Sequence, residues 1–534
     1  MDVAVTAAAA SREAAATRAR LALVRPPAFQ ILKSLSYYGA VPPIGLAYVA
    51  AALRDAGHHL QVIDGAGEAL DRFTPLGTSI GVLHLNGLTP AEIVARLEPG
   101  TEILGITHMF LHEWPTVREI AERARARFPG LFVMVGGENA TAFWGEILQE
   151  TEAVDCCVLG EGEATVLEVV ARVKRGEPLE GLPGVATRGG ASGLPARVRN
   201  LSEIAPPAWE LFPMDAYMAA ADNFGVHRGR SIPMLATRGC PFQCTFCSSP
   251  QMWTTRYVTR PPREVVDEIK RYVAAYGVEN VDFCDLTAIV KKDWILEFCR
   301  LLREEDLGIS WQLPVGTRSE ALDEDVLRAL HATGCCNVTY APESGSERML
   351  AAIKKKVKLP RLLASLEKAH EIGLTTRINI IIGHPAERWP DLWQTFKFLV
   401  RVAWLGCQDA SVMIFAPYPG SEDFERLVAE GLMSRPVDDY YLALARAGRS
   451  TKTYNRHVPR RALLTVQMAM LFTFYGIAYL TRPWRFVALV ENLLSGREQS
   501  QVAQLVRTKW RQVLRISSAA FQRGGKQLQD DHVR

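Results

Sequence analysis

The chain is sparing with cysteine: ten in 534 residues, irregularly spaced. That excludes a secreted disulfide scaffold, whose cysteines crowd a short chain. A signal-peptide hydrophobic stretch is also lacking. The first twenty residues, MDVAVTAAAASREAAATRAR, hold no sustained run of large apolar side chains, so residues 1–20 read as a frayed tail without function. The net charge is only +3, and neither an aromatic stacking platform nor an RNA-binding motif is present, so nucleic acid is not an expected partner. What remains is ordinary globular composition, 48% hydrophobic and 22% charged. The length predicts about three to four domains.

A further shortage gives the first positive signal. TRGCPFQCTFCSS, residues 237–249, carries Cys240, Cys244 and Cys247 in C-x3-C-x2-C spacing, with no fourth cysteine nearby. A structural zinc site closes its tetrahedron with four Cys or His ligands, yet the nearest histidine, His227, stands thirteen residues before Cys240. Gly239 and Pro241 predict a tight loop. Three thiolates suit three irons of a [4Fe-4S] cluster and leave the fourth iron open to a ligand.

From Leu21 onward, short apolar runs alternate with helical patterns. Strands are expected at LALVRP, LQVIDG, EILGITHM, LFVMVGG and AVDCCVLG, and helices over 43–56, from Ala91, from Thr116 and over 164–173. The alternation predicts an α/β domain, doubly wound and Rossmann-like, over residues 21–175. Such sheets bind ligands at the carboxyl ends of their strands. Those ends carry Thr107 and His108, Gly136 and Gly137, and Gly160 and Glu161, and glycine there lets a ligand approach the backbone. Residues 176–225 read as a Gly- and Pro-rich linker anchored by Trp209 and Phe212. Six more strand–helix units follow within residues 226–430, with strands at 234–238, 280–285, 310–315, 337–343, 377–383 and 410–416. They predict a partial (β/α)6 barrel with its active residues at the strand carboxyl ends.

These residues carry a family resemblance. The cysteine triplet, with Phe246 just before its third member and the strand-like MLATR ahead of it, resembles the signature of the radical S-adenosylmethionine (SAM) superfamily. VPPIGLAYVAAALRDAGH, VGGENAT and GEGE resemble the cobalamin-binding domain of its cobalamin-dependent members. The cobalt-ligating D-x-H-x-x-G motif of other cobalamin domains is absent, as in many of these relatives, and His108 reads as a hydrogen-bonding residue and not as a cobalt ligand.

The resemblance implies a [4Fe-4S] cluster, SAM and cobalamin as cofactors, with SAM chelated at the open iron and cleaved to a 5'-deoxyadenosyl radical. It places Asp285 at the acidic position facing the SAM amino group or substrate, and Glu343 near the SAM ribose hydroxyls. Gly383 matches the glycine after the fifth strand, whereas His384 and Ala386 depart from the usual G-x-P-G-E. Methylthiotransferases carry three more cluster cysteines in their first domain; here only Cys156 and Cys157 occur there, and no cysteine follows Cys407, so one cluster is expected. The implied activity is methyl transfer from methylcobalamin to an unactivated carbon radical. Alternatives are cyclisation of the tetrapyrrole-cyclase type and a non-catalytic iron–sulfur or cobalamin carrier. A flavodoxin or ferredoxin would supply electrons in a reducing cytoplasm, and a hydrophobic substrate (isoprenoid, hopanoid or tetrapyrrole) is expected.

The region 431–534 reads as mainly helical. From Asn455 onward it holds thirteen Lys or Arg against four Asp or Glu, a net +9. Its uncharged stretch, Ala462 to Leu480, is long enough to cross a membrane, but Thr465, Gln467, Thr473 and Gly476 favour a helix that covers the barrel end. The basic excess leaves peripheral contact with a membrane as a further expectation.

Overall fold

The computed structural model describes residues 18–30, 40–78, 81–220, 225–433 and 453–495, with 502 and 506. Most of the expected N-terminal tail lies outside them. In chain order the elements are β1 (Arg20–Arg25), β2 (Ala28–Gln30), α1 (Ile44–Asp55), β3 (His59–Asp64), β4 (Phe73–Thr78), β5 (Gly81–Asn86), α2 (Pro90–Arg96), β6 (Ile103–Thr107), α3 (Trp114–Arg127), β7 (Phe132–Gly136), α4 (Glu138–Glu150), β8 (Cys156–Val158), α5 (Glu163–Arg175), β9 (Val185–Thr187), β10 (Gly190–Ala191) and α6 (Met214–Ala220). They form a seven-stranded sheet of order β10-β9-β8-β7-β6-β1-β3. The five strands from β8 to the β3 edge are parallel, as the alternation predicts. Leu21 to Val24 of β1 are all buried, the continuous apolar run of a strand covered on both faces. Local signals set helix ends: Thr89 and Glu92 form a capping box at α2, and Gly176 closes α5 in a left-handed conformation.

Three local features depart from the expectation. The segment read as a linker supplies β9 and β10, which extend the sheet antiparallel beyond β8; its Gly- and Pro-rich turns mask two short strands. Strands β2, β5 and β4 form a separate antiparallel sheet, hidden in the sequence by Pro75 and Gly77. The VGGENAT stretch is a strand end followed at once by α4, whose first residue is Glu138.

The second half contains β11 (Ser231–Met234), β12 (Thr237–Arg238), α7 (Ser249–Trp253), β13 (Val258–Thr259), α8 (Pro262–Tyr276), β14 (Asn280–Phe283), α9 (Lys292–Glu305), β15 (Ser310–Thr317), α10 (Glu324–Ala332), β16 (Cys335–Glu343), α11 (Glu347–Ala352), α12 (Leu359–Ile372), β17 (Thr376–Ile382), α13 (Trp389–Trp404), β18 (Asp409–Ile414), α14 (Glu422–Ala429), α15 (Arg460–Leu480) and α16 (Trp484–Ser495). Strands β11, β14, β15, β16, β17 and β18 lie in that order, all parallel, as a six-stranded partial barrel. The first strand ends at Met234 and not at Arg238. The reason is Asp285, whose carboxylate accepts from the backbone N–H groups of Ala236 and Thr237 and so replaces the ladder partners they would have had on β14. Released from the barrel, Thr237 and Arg238 pair antiparallel with β13.

Two closures leave one open end. At the amino ends of the strands, Gln312 of β15 exchanges hydrogen bonds with the backbone of Val226 and donates to Asp282 at 2.7 Å. Along the β18 edge lies α15, with Leu463, Met470, Phe474 and Ala478 buried. Its polar residues meet the edge strand's unpaired backbone: Gln467 Nε2 donates to Val412 O at 2.7 Å, and the Tyr475 hydroxyl lies against Ala410 N and O. Covering an exposed edge this way prevents pairing with another chain. The stretch long enough to span a membrane is thus a barrel cover. Gln467→Leu is expected to cost about 1–3 kcal/mol by stranding the Val412 carbonyl, read as a lower midpoint in chemical denaturation.

Candidate functional site

The cysteine loop follows directly on Arg238. Gly239 has φ +85°, and a Cβ there would lie 2.0 Å from the carbonyl oxygen of Arg256, so only glycine lets the loop turn past that strand. Cys240, Cys244 and Cys247 are free thiols, all half-buried. Burial pushes each thiol above its usual value, while the cations of Lys355 and Arg318 pull Cys240 and Cys244 the other way. Thiolates are required for metal binding, and those cations would offset their charge. Among the described residues no three His, Cys, Asp or Glu converge on a single metal ion. A closed mononuclear zinc site would need four such ligands on one ion. The lack of convergence does not count against a cubane, which takes each thiolate on a different iron. The donor set fits a three-cysteine cluster.

The loop is held from both domains. Thr245 N donates to Ile353 O at 3.1 Å, its hydroxyl donates to Asp423 at 2.8 Å, and the Phe242 ring lies under the Arg318 guanidinium, 3.4 Å to the centroid. From the N-terminal domain, Glu138 at the start of α4 accepts from the Ser248 hydroxyl. The glycine end of β7 is thereby tied, through Glu138, to Ser248 beside Cys247. Phe143 of α4 meets Phe424 of α14 edge to face.

Glu161, expected among the cofactor-binding residues, has a different place. Its carboxylate is buried and accepts from Arg197 Nε at 2.9 Å, Val198 N at 2.9 Å and Arg238 Nη1 at 3.2 Å. Arg238 also bonds Glu163 and lies over the Tyr48 and Trp253 rings. Glu161 thus joins the two domains through both carboxylate oxygens. Asp285 accepts from the backbone N–H groups of Ala236 and Thr237 and from the Thr237 hydroxyl at 2.5 Å, so it shapes the approach to the cysteine loop.

Other expected residues do line the mouth. Glu343 ends β16 in a left-handed conformation, φ +71°, a strained state for a non-glycine residue, and pairs with Lys355 at 3.0 Å. Gly383, φ +84°, follows directly on β17. The His384 ring next to it is 1% exposed, and neither nitrogen has a partner. Burial lowers its pKa to about 3, and the ring sits 5.9 Å from that of Phe246. Sequence reasoning passed over Glu387, whose signal was the final glutamate of the altered G-x-P-G-E. It accepts from Gly383 N, and burial raises it to about 8. Val338, Tyr340, Ile378 and Ile380 join the helix-side core. The alternation of a strand turns Thr339 and Asn379 inward, and Thr339 Oγ1 and Asn379 Oδ1 are buried without partners. Orphaned buried polar atoms call for a ligand.

At the N-terminal domain's strand ends, Thr107 is half-buried and His108 is fully buried. His108 Nε2 lies 2.5 Å from Asn139 Nδ2, and its ring is against Trp114; burial lowers its pKa to about 3. It is turned into the domain. Gly137, φ +123°, would place a Cβ 2.7 Å from His108 O, and Gly160, φ +65°, abuts Pro195. Gly136 meets nothing closer than 3.6 Å and leaves β7's end open. Beyond it Met109 and Phe110 are exposed, as are Leu286, Val315 and Tyr418 at the barrel's strand ends. Apolar side chains at both sets of strand ends suit a flat, largely apolar ligand such as a corrin between them.

The Radical SAM superfamily model matches residues 234–399 and the B12 binding domain model residues 34–170. An uncharacterized methyltransferase of Pyrococcus horikoshii is 30% identical, with 78% of this chain and 84% of the relative covered. The anaerobic magnesium-protoporphyrin IX monomethyl ester cyclase of Rubrivivax gelatinosus is 26% identical over 73% of this chain and 67% of the relative. The solved cobalamin-dependent SAM radical enzyme OxsB, with aqua-cobalamin and SAM bound, shares the fold at TM-score 0.64 and 13% identity, covering 95% of this chain and 81% of that one.

Two outcomes are expected. Glu161→Ala strands the buried Arg197 and leaves Arg238 with Glu163 alone, and should cost about 3–5 kcal/mol, measured by denaturant unfolding, with less iron per chain after reconstitution. Glu387, raised in the folded state, binds its proton more tightly there than in the unfolded chain. Stability should therefore fall as pH rises from about 4.5 to about 8. Glu387→Gln, which keeps the Gly383 bond, should flatten that slope in midpoints measured across the range.

Proposed function

Since this chain belongs to the cobalamin-dependent radical SAM enzymes, a B12-binding domain followed by a radical SAM domain, we propose that it is a C-methyltransferase acting on an unactivated carbon. When bound, the cluster with SAM supplies hydrogen-atom abstraction and cobalamin supplies the methyl group. The observation that carries the reading is the hydrogen bond from Ser248, next to Cys247, to Glu138, which starts α4 just past the glycine end of β7. Methyl donor and radical source then share one chamber.

Within it, Cys240, Cys244 and Cys247 would hold the cluster, and Arg318 and Lys355 would balance its charge. Phe246 and Gly383 shape an apolar, close-fitting wall. Glu343, held by Lys355, can accept from two sugar hydroxyls, and Thr339 and Asn379 offer the remaining polar partners. On the other side Thr107, Gly136, Gly137 and Gly160 would border the corrin, while His108, occupied by Asn139, would give it no cobalt ligand. Met109, Phe110, Leu286, Val315 and Tyr418 would exclude water from the reacting carbon and favour a hydrophobic substrate such as an isoprenoid, hopanoid or tetrapyrrole. All ten cysteines are free thiols, which suits a reducing cytoplasm with flavodoxin or ferredoxin as reductant and the C-terminal helices as the place of any peripheral membrane contact.

A second reading, oxidative ring formation, is favoured by the similarity to the cyclase. Anaerobic purification with cobalamin supplied, then product analysis under reduction, separates the two. Methyl transfer predicts corrinoid retained and both 5'-deoxyadenosine and S-adenosylhomocysteine formed; 5'-deoxyadenosine alone would sink it. Cys240→Ala should abolish 5'-deoxyadenosine and leave corrinoid content unchanged. In His108→Ala the bound corrinoid should be retained, and its paramagnetic resonance should show no imidazole nitrogen splitting in either protein.

A further inference from the structure

The outer face of α13 carries three tryptophans in the open. Trp389, Trp393 and Trp404 are 51%, 59% and 59% exposed. Lys397 and Arg401 stand between them, exposed and in no ion pair with a described residue. Steps of four, four, four and three put 389, 393, 397, 401 and 404 on one side of a helix. The only acid of α13, Asp391, is buried against Arg348 and Ser346. Three tryptophans flank two cations there with no carboxylate among them.

The face continues onto its neighbours. On α15, which packs along α13, Phe472 and Leu480 point outward, 72% and 81% exposed. Arg482 and Arg485 donate to Trp404 O, Gly406 O and Cys407 O just past the end of α13. They bring up the start of α16 with exposed Trp484 and Phe486. Nine of the seventeen exposed large apolar side chains among the described residues lie on these three helices, so the exposure is concentrated and not scattered. Beyond Ser495 the sequence adds eight Lys or Arg against three Asp or Glu.

Lysine is depleted from protein–protein interface cores, which argues against a protein partner for a stripe with Lys397 at its middle. Indole rings sit at the headgroup level of a bilayer, and cations beside them pair with lipid phosphates while their stems stay among the apolar groups. We propose that the α13–α15–α16 face docks on the surface of an anionic lipid bilayer, lying in the headgroup layer without crossing it. Since Gln467 and Tyr475 are committed to the barrel edge, α15 lies along the surface as part of the folded unit. The inference deepens the peripheral contact given above and rests on it, but vesicle binding is read without substrate or turnover, so its failure leaves methyl transfer standing.

The test uses the full chain, flotation with vesicles of phosphatidylcholine alone or mixed with phosphatidylglycerol, and tryptophan emission. Binding to the mixed vesicles with a blue-shifted emission is expected. Lys397→Glu with Arg401→Glu should weaken it about tenfold or more, as should Trp393→Ala with Trp404→Ala, each with unchanged circular dichroism. No binding, equal binding to both vesicle types, or binding that neither pair of substitutions weakens would overturn the proposal. So would a lipid-free dimer in light scattering that becomes monomeric in the Lys397→Glu, Arg401→Glu protein, since the face would then be covered by a second copy.

Discussion

Arg238 is the residue on which the geometry of the site turns. It stands two positions before Cys240, and its guanidinium is buried between Glu161 and Glu163 of the other domain. Arg197 closes the same carboxylate from the far side. Taking four charges out of water costs several kcal/mol per ion, so such a network is poor evidence of stability. Its effect is registry. A guanidinium that must reach two carboxylates across a domain junction permits one placement of the chain that follows it, and that chain is the cysteine loop. The distance between the two cofactor halves is thereby fixed by directional bonds, where apolar packing alone would tolerate sliding.

A second constraint works with it. Asp285 takes the N–H groups of Ala236 and Thr237 and so turns the chain out of the barrel one residue pair before the loop. Arg238, in that released segment, is then fixed by Glu161 and Glu163. The strained Glu343 and the Lys355 that holds it sit beside Cys244, close enough for both charges to bear on its thiol. Barrel terminus, ionic junction and cluster pocket are therefore one mechanical unit.

Much of this was legible in residue order. The cysteine spacing, the five parallel strands of the first domain and six of the second all lie in local patterns of period and punctuation. The roles of Glu161 and Asp285 do not. A carboxylate at a strand end looks the same whether it faces a ligand or an arginine that arrives from residue 238, because the deciding partner is distant in sequence. Glu387 is hidden for the opposite reason: His384 and Ala386 break the motif around it, so the one glutamate that keeps the pattern does not stand out. The strands β9 and β10 are too short, and their glycines too many, for any periodicity to emerge.

Helix α15 shows the same limit for hydropathy. Nineteen uncharged residues say that one stretch avoids water, but not what replaces it. The answer lies in the phase of its polar groups: Gln467 and Tyr475 fall on the buried side, where the open edge of β18 needs donors and acceptors. With that edge covered and the floor sealed by Gln312 against Val226, the lumen that holds Thr339 and Asn379 is left open at the strand carboxyl ends. Those ends face the glycine-lined edge of the first domain. The cysteine loop, Glu343 and Gly383 are gathered at that opening, and Ser248 of the loop is bonded there to Glu138 of the first domain.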